Sequence, residues 1–596
     1  MIAMLFTRAA DRLLVADPGL ARFVTALRAT LATFLTAAIC LPLAARLDAP
    51  PTVAGPGILF VMVAPLFLRD GTLRGWLASL LSLYVVALTS FALASALAPW
   101  PALADATFVA LLCGGMLIQA CGPRALGGAL LALVAFYLGL YLHPTMPMTQ
   151  LAMAMSLIAP CVTVCIARWI IPPRHDAALR LAVRTVTARA RRLPATAPRA
   201  ASLHTALTAL NEAAISLEDR LALLEPGDTD EVRDALIALE VAANQYVFDA
   251  SARADREARL RSAIAALERM VESRQWETKR VDAARASGQS ALASLSWWPA
   301  ARMAAAASMA LFAGHWLSSE RWFWAVITTF VVLLGTRSRG DAVHRAMQRI
   351  AGTLAGALVG ALLVTSLHSE PVAIACAMLL CVFGWAYFIL SAYGPGVFCI
   401  TVLVSLVYGM LGHAVQPLVE LRIGEVAIGC LASLVAAFTI KPLETSRHIE
   451  ARFVEVIDAM IAGVRSADSV QAGAAVRSLD SHWQAFRLAL RPRRVFVWAT
   501  HDDLVAGALS CCVHNVRTLL RQPHAMQDQG GIEGILERLE AIRAGCARAS
   551  MKGTKRMKGM PAATGMAASL DGAVALLAQR IGGFSDAAPS LRERAA

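Results

Sequence analysis

Apolar runs close to bilayer length dominate this chain and gather in two clusters on either side of a charge-rich segment, residues 172–298. A helix needs roughly 20 mainly apolar residues to cross a hydrocarbon core. The first cluster offers spans near Leu27 to Ala45, Thr52 to Leu68, Leu73 to Leu97, Ala104 to Ala120, Ala125 to Leu142 and Met148 to Ile171. The second offers Ala300 to Leu317, Trp322 to Gly335, Ile350 to Leu367, Pro371 to Leu390, Val397 to Leu411 and Ile423 to Ile440. An all-α integral membrane protein with two parallel six-helix blocks is the expected fold. Only 16% of residues are charged and 57% are hydrophobic, against about 25% charged in soluble domains.

Charge fixes the expected orientation. Arg69, Arg74, Arg124, Arg168 and Arg174 fall on one side of the first block, and Arg337, Arg339, Arg345, Arg349, Lys441 and Arg447 at the corresponding ends of the second. The positive-inside rule makes that side cytoplasmic, together with both termini, in a bacterial inner membrane. The same rule accounts for the net charge of +13 without nucleic acid. The 12 cysteines hold no C-x-x-C pair, so neither a metal site nor a disulfide framework is expected. No P-loop, G-x-S-x-G or H-E-x-x-H motif is present, so no enzyme and no cofactor is expected.

The expected domains are an amphipathic cytoplasmic segment 1–26, a first membrane block 27–171, a cytoplasmic helical domain 172–298, a second membrane block 299–440 and a C-terminal cytoplasmic helical domain 441–596. In the first soluble stretch Leu203, Leu207, Leu210, Ala214, Leu217, Leu221 and Leu224 step by three and four, the seam of a helical bundle. Pro226-Gly227 breaks that run, and Met551 to Pro561 forms a basic interruption in the last domain.

The two blocks repeat each other's punctuation. Gly71-Thr72-Leu73-Arg74-Gly75 matches Gly352-Thr353-Leu354-Ala355-Gly356, Gly122-Pro123 matches Gly394-Pro395, and Ile171-Pro172-Pro173 matches Ile440-Lys441-Pro442. A duplicated unit with an even span count gives parallel repeats, a recurrent transporter plan. Trp324, Ile327, Thr328, the run Arg345-x-x-x-Arg349-x-x-Gly352-Thr353-x-x-Gly356, Tyr393 ahead of Thr401, and Arg422 with Gly429 resemble the fusaric acid resistance (FUSC) family, which includes aromatic acid exporters. The resemblance implies efflux of fusaric acid, hydroxybenzoate and similar compounds, in some systems with a periplasmic adaptor and an outer-membrane channel. The first block lacks counterparts of Arg345, Arg349 and Arg422, so the expected site rests on the second.

Short or Gly/Pro-interrupted spans at matching places point to the same region. The eighth span, between Arg321 and Arg337, is short and carries Thr328 and Thr329, either donors to a carboxylate or hydroxyls bonded back to their own helix. Arg337, Arg339, Arg345 and Arg349 form a basic mouth that either attracts organic anions or anchors topology. With Tyr393 and Thr401 these six residues are the candidate substrate site. Arg422 and Glu425 are candidates for a structural ion pair or for proton coupling. Gly352-x-x-x-Gly356-x-x-x-Gly360 reads as a helix-packing face. An anion channel, a non-transport scaffold and a homo-oligomer stay open as alternatives.

Overall fold

The computed structural model describes residues 17, 20–68, 73–172, 175–195, 200–221, 230–248, 253–272, 297–318, 322–336, 338–367, 370–410, 415–440, 445–465, 469–496, 500–521, 529–549, 574 and 577. Most of the expected N-terminal amphipathic segment, the Pro226-Gly227 break and the Met551 to Pro561 stretch lie outside them. Among the described residues the chain is helical throughout, and it divides into two compact units.

One unit, Leu20–Arg174 with Asp282–Leu443, holds the apolar helices. In its first part these are α1 (Ala21–Arg46), α2 (Gly55–Val63), α3 (Leu73–Leu97), α4 (Pro101–Ile118), α5 (Pro123–Leu142), α6 (Met146–Ser156) and α7 (Ile158–Cys165), the last continued by a π turn over Ile166–Ile170. In its second part they are α12 (Trp298–Leu317), α13 (Phe323–Leu333), α14 (Arg339–Leu367), α15 (Pro371–Phe388), α16 (Tyr393–Met410) and α17 (Val415–Thr439). Nine stretches among the described residues are long and apolar enough to cross a membrane. Pro51–Leu66 and Phe323–Leu333 are apolar but shorter. The alanine-rich α12 is not among the nine, since Arg302 and His315 interrupt it.

Proline opens several of these helices, where its missing N–H costs nothing: Pro101, Pro123 and Pro371 stand in the first turn. Between Pro51 and Leu66 the chain is one short helix whose two ends tighten into 3-10 turns, with right-handed helical backbone through both junctions. Packing relies on small residues. A Cβ on Gly352, Gly356 or Gly360 would come within 2.8 Å of an atom of α16, so this stripe is where α14 and α16 touch backbone to backbone. The two parts interlock: α1 packs on α15, and α12 packs on α4.

The other unit joins His175–Val281 to Glu444–Ala596. It contains α8 (His175–Ala195), α9 (Ala200–Leu221), α10 (Asp230–Phe248) and α11 (Arg253–Glu272), then α18 (Thr445–Arg465), α19 (Ser469–Phe496), α20 (Thr500–Arg521) and α21 (Gln529–Ala549). Each segment keeps its own apolar core. The leucine stripe is internal, with Leu207, Leu210, Leu217 and Leu221 at 0–1% exposure. What ties the segments together is polar. Arg517 of α20, 3% exposed, meets Asp480 at 2.7 Å, Glu240 of α10 at 3.0 Å and Glu218 of α9 at 3.5 Å. Burial disfavours its charge, yet the three carboxylates outweigh that and hold its pKa above the usual arginine value. Beside it, His514 pairs with Asn211, and Asn515 accepts from Asn244 at 3.3 Å.

Candidate functional site

Polar side chains buried inside apolar helices are expensive unless they do something, and in the membrane-type unit they converge where α13, α14, α16 and α17 meet. α13 has 11 residues, about 17 Å of rise, roughly half the hydrocarbon thickness. It therefore ends inside the bundle, and its last carbonyls need donors.

Arg345 supplies them. Its Nη1 donates to the carbonyls of Val331, at 3.3 Å, and Leu334, and its guanidinium lies 5.8 Å from the centroid of the Tyr393 ring. Arg339, at the start of α14, donates to the Phe438 carbonyl at 3.3 Å and sits 5.0 Å from that ring. Just ahead of it, Ser338 and Asp341 exchange reciprocal bonds at 3.1 and 3.2 Å, a capping box that starts the helix. Arg337 lies outside the described residues.

Deeper along the same face is Arg349, 6% exposed, about 15 Å from the Arg339 end of α14. Its Nη2 donates to Thr328 Oγ1 at 3.4 Å, while its Nε has no hydrogen-bond partner among the described residues. Thr328 faces the site, whereas Thr329 bonds back to the Val326 carbonyl at 2.7 Å. Thr401 likewise bonds back, to Val397 at 2.9 Å.

From α17 comes Arg422, 7% exposed, with its guanidinium 3.5 Å from the centroid of the Trp324 ring. That is a cation–π stack in a desolvated place. Its Nε and Nη1 have no hydrogen-bond partner among the described residues. Glu425, 1% exposed, follows on the same helix and acts electrostatically on Arg422, as does Arg349. A small cavity of about 20 Å³ opens between Arg422, Thr401, Ser405, Tyr408 and Ala357, room for about one water.

Four residues here are absent from the sequence-based site. Trp324 stacks on Arg422. Thr353 is buried with a hydroxyl that has no partner among the described residues. Tyr408 lines the cavity. Tyr137 enters from α5 of the first block, buried beside Tyr408 and Arg422, with ring centroids 5.2 Å from Trp324 and 4.3 Å from Phe323. A tyrosine in a long apolar run is a weak signal, because the same residue commonly packs as a hydrophobe; only the approach of the two blocks reveals its neighbours.

The structure thus brings Thr328, Arg349, Arg422 and Glu425 together. It assigns Arg345 and Arg339 to helix ends, with Tyr393 beside both Arg349 and Arg345. Two guanidiniums with unused donors, one carboxylate and a wall of aromatic rings, all enclosed, can accept an anion and face its apolar body.

No curated protein and no solved structure matches the chain significantly. Residues 308–436 match the family model described as fusaric acid resistance protein-like, a stretch that runs from α12 to α17 and holds Thr328, Arg349, Arg422 and Glu425. Through this second membrane block, the chain is similar to the fusaric acid resistance protein-like family.

Proposed function

We propose that this multi-pass membrane protein is an inner-membrane efflux transporter for small organic acids, aromatic carboxylic acids among them. The observation that carries this reading is the buried pair Arg349 and Arg422, each with donors left over, Arg422 lying beside Trp324 and Tyr137. Guanidinium holds a carboxylate through two hydrogen bonds, and the rings give an aromatic body somewhere to stack. Arg339 and Arg345, on the approach along α14, add positive potential that concentrates anions at the mouth.

Twelve spans in two six-helix blocks, with both termini cytoplasmic, complete the proposal. Its support is the nine long apolar stretches, the two short ones and α12, together with reciprocal packing in which the first helix of each block lies on the fourth of the other. Because Tyr137 and Arg422 belong to different blocks, relative movement of the blocks opens and closes the site, which suits alternating access. A cavity of about 20 Å³ is far too small for an aromatic acid, so binding requires such opening. An anion leaving a negative-inside cell gains about 2.3 kcal/mol per charge per 100 mV, enough drive without ATP.

The test is efflux from cells loaded with a panel of aromatic acids, with and without the protein. Unchanged efflux across the panel, with altered envelope assembly instead, would replace the transporter by a scaffold. Single-channel current steps in place of saturable flux would replace the carrier by an anion channel.

A further inference from the structure

The contact between α4 and α12 differs at its two ends. Near the start of α12, Arg302 donates to the Ile440 carbonyl at 2.9 Å, and Cys113 Sγ of α4 lies 3.7 Å from the Ala300 carbonyl. Between the ends the helices meet through Ala104, Phe108 and Leu112 on one side and Ala306, Ala307 and Ala310 on the other. At the far end, about 20 Å from Arg302 along the axis, His315 Nε2 stands 3.1 Å from Asp105 Oδ2. The His315 ring is stacked on Trp322, with centroids 4.8 Å apart and planes 25° apart. The companion contact, α1 on α15, has Phe23 edge-on to Phe383 at 5.4 Å and Arg22 over Tyr387.

We propose that Asp105 and His315 form a proton-operated clasp between the two membrane blocks, on the face opposite the arginine cluster. Protonated His315 is an ion-pair partner for Asp105 and a cation over Trp322, and both attractions close the helix ends. Neutral His315 keeps at most one hydrogen bond, and the smooth alanine contact behind it then lets the ends part. The side chains are 38% and 18% exposed. The groups around the imidazole are few. α4 presents Asp105, the start of α13 presents Trp322, and α17 meets α12 where Gly424 packs on Leu317. α17 also carries Glu420, Arg422 and Glu425, of which Arg422 and Glu425 are buried beside each other. The clasp rests on the transporter reading only for which face is outward.

Spin labels at Leu103→Cys and Trp316→Cys, both exposed beside the pair, report the separation of the helix ends in a background whose native cysteines are replaced. The distance should be short and narrow at about pH 5.5 and longer and broader at about pH 8. His315→Lys, which keeps the charge, should stay short at both; His315→Gln and Asp105→Asn should stay long at both. A distance indifferent to pH, or a short one in His315→Gln, overturns the clasp. In the cysteine-replete protein the efflux profile gives a second reading: acid on the outward face slows wild type, His315→Lys is slow throughout and His315→Gln is fast throughout. A His315→Gln profile that follows wild type also overturns it. Labels that respond while no organic acid is moved would uphold the clasp and sink the efflux reading.

Discussion

Arg302 reaches from near the start of α12 to the carbonyl of Ile440, 2.9 Å away, and thereby ties the first helix of the second block to the end of the last. Arg28 makes the matching contact in the first block, donating through Nη2 to the Ile171 carbonyl at 2.9 Å. A helix end leaves carbonyls unpaired, and a guanidinium is a strong donor to them. Arg28→Ala and Arg302→Ala should each cost about 1.5–3 kcal/mol. The measurement is thermal unfolding in detergent, where both variants should melt below wild type while substrate preference is unchanged.

The arginines of α14 and α17 should separate by role. Arg349→Lys and Arg422→Lys keep the charge but lose the planar fork; both should insert normally and lose export about tenfold, corresponding to about 1.4 kcal/mol of differential interaction. Arg345→Lys instead withdraws donors from the end of α13, so its loss should appear as reduced protein level or stability. Transport per molecule, measured at matched abundance, distinguishes the two effects. Wild-type export from both Arg349→Lys and Arg422→Lys would remove the carboxylate site.

Close packing of α14 on α16 predicts a different phenotype for Gly356→Leu. Even a single added carbon would stand 2.8 Å from the Phe398 carbonyl oxygen and from Thr401 Cβ. Overpacking of this kind costs about 1–3 kcal/mol or more. Protein level or melting temperature should fall with no shift among substrates, and normal abundance with a changed substrate profile would contradict the packing role.

In the other unit, Arg517→Met should be severely destabilising, by about 3–5 kcal/mol, because it leaves buried carboxylates without their cation. Adding Asp480→Asn should restore part of the loss. Since the folded-state pKa of Arg517 is raised, its contribution is complete at neutral pH and is lost only as pH rises through that raised value. A denaturation series from about pH 6 to about pH 9 should therefore show no arginine-dependent change in stability.

Much was legible in residue order. Length and apolarity specify helices in a bilayer because hydrocarbon leaves backbone groups no other way to pair, and the apolar runs, the internal leucine stripe and the glycine stripe of α14 all follow from that one-dimensional pattern. Arg349 was legible as part of a basic mouth at a span's edge, and Arg422 as a partner for the intramembrane Glu425. The sequence alone left open which arginine grips and which one caps a helix. Arg345 and Arg349 share a face one turn apart, yet one meets the end of a short neighbouring helix and the other Thr328. The entry of Tyr137 beside Arg422, the pairing of Asp105 with His315, and the polar seam around Arg517 likewise join residues more than 200 positions apart or on separate segments. Side-chain type and local spacing fix what a residue can offer; the packing of distant helices decides what it is offered to, and only the tertiary structure contains that.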